Sequence, residues 1–225
     1  MSGPPILEGP SLPPANGVPR QLVLLFHGYG ASGSDLIPLA AAWRETLPEA
    51  LFLAPDAPDE VPGYPMGRQW FPVAQLSLQE IASGLVAIAP TIRRYVEAEL
   101  DRYGLTPRDL ALVGFSQGAM IALDIGLGWP EPIGGIISYS GVLVRPPKPR
   151  AEGYPPVLLG HGADDSLIPS AALASAEAAL KQVGIAAEAM HEVGLGHGIN
   201  EAEVQRGSRF LAEALSPVDA AGASR

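Results

Sequence analysis

The chain contains no cysteine, so disulfides, a thiolate nucleophile and thiolate metal ligands are all excluded. Lysine is nearly absent as well. Two lysines and twelve arginines face 24 acidic residues, which leaves a formal charge of −10 and an isoelectric point near 4.8. That balance argues against nucleic acid or an anionic membrane surface as the main partner. No apolar run approaches the roughly 20 residues that a membrane-spanning helix needs. Nor does a basic start lead into an apolar core, so a soluble, cytoplasmic protein without a membrane span is the expectation. There is no internal repeat and no linker that would divide the chain. What the sequence does have is apolar content, 47% of 225 residues, enough to bury one substantial core. A single α/β domain is expected over residues 21–215. An extended Pro-rich arm precedes it at 1–20, with a short edge strand around Pro5 to Leu7, and a flexible tail follows at 216–225.

Hydrophobic patterning fills in the domain. Gln21 to Phe26, Ala50 to Ala54, Leu110 to Phe115, Ile133 to Tyr139 and Pro156 to Gly160 read as short apolar strands buried on both faces of a parallel sheet, and Ala186 to Val193 as a further strand. Helical spacing of apolar residues predicts helices from Ser34 or Asp35 to Leu47, from Ser77 to Tyr103 with a kink at Pro90, from Ser116 to about Trp129, from Ser170 to Val183 and from Glu201 to Leu215. Pro55 to Ala74 carries five prolines and reads as one long irregular loop. Its aromatic residues argue against disorder, so Met66, Trp70 and Phe71 are expected to line a substrate pocket, the alternative being that the aromatics plug the core. Ser140 to Pro156 is too short for a helical cap domain.

The most informative stretch is Gly114-Phe115-Ser116-Gln117-Gly118, where an apolar strand gives way at once to a helix. A serine in so tight a turn needs small neighbours two residues away on either side, which the glycines supply. Its hydroxyl is then exposed at the carboxyl edge of the sheet. The new helix turns its free N–H groups and positive dipole end toward any oxyanion formed there. The glycines around Tyr29 in His27-Gly28-Tyr29-Gly30 let another backbone N–H approach the same edge. A serine hydroxyl becomes a useful nucleophile only when an imidazole takes its proton and a carboxylate holds that imidazole in the right tautomer. Of four histidines, His27 and His161 sit at strand ends where packing and backbone hydrogen bonding explain them, and His191 lies within a strand. His197, between glycines in a loop, is the candidate base. Asp164 and Asp165 both follow the strand that ends at Gly160, and the order Ser, Asp, His along the chain is that of a nucleophile-elbow hydrolase.

Together these motifs resemble the phospholipase/carboxylesterase family of compact α/β-hydrolases, which includes acyl-protein thioesterases. The resemblance runs from Leu22 to about Leu215. It rests on Phe26-His27-Gly28-Tyr29-Gly30, Ala54-Pro55-Asp56-Ala57-Pro58, Arg68-Gln69-Trp70-Phe71, the Ser116 motif and Gly194-Leu195-Gly196-His197. It implies Ser116 as nucleophile, His197 as base and the Tyr29 and Gln117 backbone N–H groups as oxyanion hole. Because the family's acid stands four residues before a proline, it favours Asp165, which precedes Pro169, over Asp164. Ser166 stands where the family usually has a proline. The expected activity is hydrolysis of short- to medium-chain carboxylic esters, without metal or cofactor, on a small-molecule substrate. Lactone or acyl-protein thioester hydrolysis, and a non-catalytic ligand-binding relative, are the alternatives. An apolar face beside the Pro-rich loop offers a surface for a homodimer.

Overall fold

The structure is a computed structural model that describes residues 7–216. In chain order it contains β1 (Ser11–Leu12), β2 (Gln21–Phe26), α1 (Gly33–Leu36), α2 (Pro38–Trp43), β3 (Ala50–Leu53), β4 (Asp59–Val61), β5 (Tyr64–Gln69), α3 (Leu78–Tyr103), β6 (Leu110–Phe115), α4 (Gln117–Leu127), β7 (Gly135–Tyr139), β8 (Val157–Gly162), α5 (Ala171–Gln182), β9 (Glu188–Glu192) and α6 (Glu201–Ala214). Seven strands form one sheet in the order β1-β3-β2-β6-β7-β8-β9. Every pairing is parallel except that of the edge strand β1 with β3.

Alternation along β2 shows why these runs are apolar throughout. Leu22, Leu24 and Phe26 face a core layer shared with α3, α4 and α5, while Val23 and Leu25 face the opposite layer, closed by Trp43 of α2 and by Phe210 and Leu211 of α6. A strand covered by helices on both sides has no solvent face to make polar. Among the described residues, alternation between half-buried and exposed positions along a whole strand occurs at the two edges of this sheet, in the two-residue β1 and in β9.

Several expectations need correction. The helix expected from Ser34 to Leu47 is two short ones, because Pro38 cannot donate an N–H into a continuing helix and instead opens α2 at its first position. The loop from Pro55 to Ala74 contains the antiparallel hairpin β4–β5, turned at Gly63 with φ 77°. Leu7 lies outside any strand and the edge strand is Ser11–Leu12; Pro5 and Ile6, like 217–225 of the expected tail, fall outside the described residues. Helix α3 continues through Pro90, whose missing N–H would have met the carbonyl of Val86; both residues are exposed, so water can serve that carbonyl. The chain from 140 to 156 contains no helix.

Helix α6 begins four residues after His197, and its cap, Asn200, anchors that loop. Asn200 Oδ1 accepts from Glu203 N at 2.9 Å, and Glu203 Oε2 accepts from Asn200 N at 3.1 Å. Glu203 is fully buried against Gly160, and its Oε1 has no partner among the described residues. Burial pushes its pKa up to about 7; the Asn200 N–H opposes the shift and nearby Glu192 adds to it. A carboxyl raised in the folded state favours folding while it is protonated, so its contribution falls as pH climbs from the ordinary 4.5 to about 7. We expect Glu203→Gln to flatten the fall in thermal midpoint over that window and to be the more stable form above pH 7, as thermal unfolding followed by circular dichroism would show.

Candidate active site

Strand β6 ends at Phe115 and α4 begins at Gln117, so Ser116 alone makes the turn. It does so with φ 54° and ψ −116°, a backbone that side chains other than glycine rarely adopt. The Ser116 N–H is tied to Tyr139 O at 2.9 Å. Neither flanking glycine could carry a side chain. A Cβ on Gly114 would run into the Gly118 backbone, and one on Gly118 into the carbonyls of Phe26 and His27. The strand, the helix and the His27 loop therefore meet at van der Waals distance around the serine.

Among the described residues, the backbone N–H groups of Tyr29 and of Gln117, the latter at the first position of α4, have no hydrogen-bond acceptor. Residues Gly28, Tyr29, Ser116, Gln117 and His197 line one cavity of about 510 Å³, whose remaining wall is largely apolar. His197 Nδ1–H donates to Asp165 Oδ2 at 2.7 Å, and the Phe115 ring lies 4.8 Å from the imidazole. Nε2 of His197 is left without a partner among the described residues.

Asp165 follows β8 and is buried, whereas Asp164 points outward and contributes only a backbone bond to Leu195 O. The carboxylate of Asp165 is held from both sides. Oδ1 accepts from the N–H groups of Leu167 and Ile168, each at 2.9 Å, and Oδ2 lies 3.3 Å from His161 Nε2 as well as on His197. Burial pushes its pKa up, but the hydrogen bonds from His197, Ile168 and Leu167 outweigh that and hold it below the usual carboxylate range. It is therefore ionised at neutral pH. His161 makes a backbone hydrogen bond of the kind expected for it, donating from Nε2 to Ile168 O at 2.9 Å, and so fixes the turn that carries Asp165.

The structure separates the three expected pocket residues from the cavity. Met66 is 80% exposed on β5 and points away from it. Trp70 and Phe71 are buried beneath the loop that begins at His27 and beneath α3. The Trp70 ring meets Phe26 edge-on at 5.4 Å, its Nε1–H donates to His27 O at 2.9 Å, and Phe71 fills the space left by Gly84. The cavity wall is supplied instead by Leu76, Ile81, Met120, Leu167 and Ile168. Leu167 and Ile168 stand two and three residues after Asp165, an apolar pair at a loop position where sequence alone offers no core for them. The Gln117 side chain also has a task that the sequence does not reveal. Its Oε1 accepts from Trp70 N at 2.9 Å and its Nε2 donates to Phe71 O at 2.8 Å, clamping the elbow to the Trp70 segment.

A phospholipase/carboxylesterase family model matches residues 10–215, nearly the whole chain. The chain belongs to the phospholipase/carboxylesterase family. Within it, the crystal structure of esterase PE8 superposes with a TM-score of 0.87 at 39% identity, over 93% of this chain and 99% of that one. Esterase YpfH of Escherichia coli is 29% identical over 83% of this chain and 79% of its own length. Acyl-protein thioesterase 1 of Gibberella zeae is 27% identical over 91% and 94% respectively. The mostly parallel sheet flanked by helices is the α/β-hydrolase fold of this family of ester hydrolases.

Proposed function

We propose that the protein is a serine carboxylesterase with Ser116 as nucleophile, His197 as base and Asp165 as its partner, acting on short- to medium-chain carboxylic esters. The observation that carries this reading is the 2.7 Å bond from Asp165 to His197 Nδ1, which leaves Nε2 free in the cavity that also holds the strained Ser116 elbow. In the first half-reaction His197 Nε2 takes the Ser116 proton as Oγ attacks the ester carbonyl. The tetrahedral oxyanion is received by the Tyr29 and Gln117 N–H groups, each contributing about 3 kcal/mol in the transition state. The tetrahedral intermediate collapses, the alcohol leaves with the proton from His197, and an acyl-enzyme remains. Water, deprotonated by His197, attacks that ester; its collapse releases the acid and returns the proton to Ser116.

The apolar wall of Leu76, Met120 and Leu167 supports an acyl chain as the buried part of the substrate, and its volume supports a short or medium one. The likeness to the Gibberella zeae thioesterase supports a sulfur leaving group as the second reading, since the acyl-enzyme step is the same. The homodimer belongs to this proposal too, with exposed Tyr64 and Met66 on the hairpin as the apolar face that supports it. A panel of p-nitrophenyl esters and acyl thioesters from two to sixteen carbons tests substrate class directly. Highest kcat/KM at short or medium oxygen esters is expected. A maximum at the longest chains, or with sulfur leaving groups alone, replaces the substrate assignment.

A further inference from the structure

His27 is buried, lies behind the cavity and has no part in the reaction steps above, yet both of its ring nitrogens are committed. Nδ1 lies 2.7 Å from Gly28 O, a carbonyl that can only accept, so this nitrogen carries the proton. Nε2 lies 3.0 Å from the N–H of Ala57, a group that can only donate, so this nitrogen is bare. One neutral tautomer satisfies both bonds. Burial lowers the ring's pKa and keeps that form, although the Gly28 carbonyl and the charges of Asp56 and Asp35 pull the other way.

The consequence lies one bond further on. In a trans peptide the carbonyl and the following N–H point in opposite directions. Gly28 C=O and Tyr29 N–H belong to the same peptide, and the carbonyl is gripped by His27 Nδ1–H and, at 3.3 Å, by the N–H of Ala31. The N–H of Tyr29 is thereby turned away from the ring. Gly28 approaches the serine so closely that a Cβ placed on it would sit 3.3 Å from Ser116 Cβ. His27 itself is held from behind by the Trp70 Nε1–H on its own carbonyl.

We propose that His27 is a positioning residue of the oxyanion hole, its Nδ1–H aiming the Tyr29 amide at the reacting carbonyl through the Gly28–Tyr29 peptide. The proposal rests on the esterase reading above. It assigns to the ring a task different from filling space: the Nδ1 bond matters to the transition state, the Nε2 bond only to the scaffold.

Two isosteres separate the bonds. In His27→Asn the amide nitrogen takes the place of Nδ1 and restores the donor to Gly28 O; in His27→Gln the amide oxygen takes the place of Nε2, keeping the acceptor for Ala57 and losing the donor. With p-nitrophenyl butyrate, we expect His27→Gln to lower kcat by about 10²-fold, the effect of losing one oxyanion donor, while KM stays within about twofold. The inhibition constant of an alkyl trifluoromethyl ketone, whose hemiketal oxygen occupies the hole, should rise by a similar factor. His27→Asn should recover most of both losses. Equal losses in the two variants, or a Gln variant with undiminished kcat, overturn the proposal. Should neither variant fold, the ring nitrogen shifts of the wild-type protein decide it at pH 7: an Nδ1–H neutral ring is required, and an Nε2–H tautomer or an imidazolium overturns it. A wild-type protein that does not turn over the ester overturns the esterase reading along with the proposal, whereas an active wild type with an unaffected Gln variant overturns the proposal alone.

Discussion

Ser116→Ala is expected to lower kcat/KM for p-nitrophenyl butyrate by about 10⁴-fold or more, because the attacking oxygen is gone and only binding and the oxyanion donors remain. Its thermal midpoint should hardly move. Alanine keeps the Cβ and with it the unfavourable φ of 54°, so the backbone strain of about 1–3 kcal/mol stays in place. Ser116→Gly removes the Cβ and adopts that φ freely, so it should be equally inactive but more stable than the wild type. Labelling by a fluorophosphonate probe, read by intact mass, should disappear in both. Substantial turnover by purified Ser116→Ala would refute the nucleophile assignment, whatever the midpoints show.

Asp165→Asn should cost about 10⁴-fold in kcat, and the reason is geometric. Oδ1 of Asp165 is claimed by two donors, the N–H groups of Leu167 and Ile168. The introduced amide must therefore keep its oxygen on that side and turn its NH₂ toward His197. There it meets Nδ1, which can then only accept, so the imidazole carries its proton on Nε2 and faces Ser116 with nothing to take a proton. The same NH₂ lies against His161 Nε2, a second donor, 3.3 Å from the oxygen it replaces. Asp164→Asn touches none of these groups, and its exposed side chain predicts activity close to wild type. Measured side by side, the pair settles which acid serves His197. A larger loss in Asp164→Asn would reverse the assignment.

The parts of the site legible in the sequence are those where chemistry forces one residue type. Only glycine fits at positions 114 and 118, and the apolar runs of β2 and β6 have no reading other than strands covered on both faces. The hairpin β4–β5 was hidden because Tyr64-Pro65-Met66-Gly67-Arg68-Gln69 shows no alternation, and a two-stranded ribbon on the surface needs none; the Pro62-Gly63 pair was its one signal. Trp70 and Phe71 were misplaced for a different reason. A pocket wall and a core plug both demand apolar rings, and what separates them, the Trp70 Nε1–H on a backbone carbonyl, depends on a partner more than forty residues away. The Gln117 side chain escaped for the same reason: its hydrogen bonds run to backbone groups, and backbone groups leave no mark in sequence.

The pairing of β2 with β6 also has a consequence for how the molecule assembles. Tyr29 lies just beyond β2 and Ser116 just beyond β6, and these neighbours in the sheet, registered Leu22 to Leu110, are separated in the chain by residues 27–109. Helices α3 and α4 consist of local contacts and can form early, but Tyr29 and Gln117, the proposed oxyanion donors, come together only when this long loop has closed. On that reading the Ser116 elbow is expected to assemble late in refolding, so esterase activity should return with completion of the sheet and lag the recovery of helix, as stopped-flow circular dichroism beside an activity assay would show.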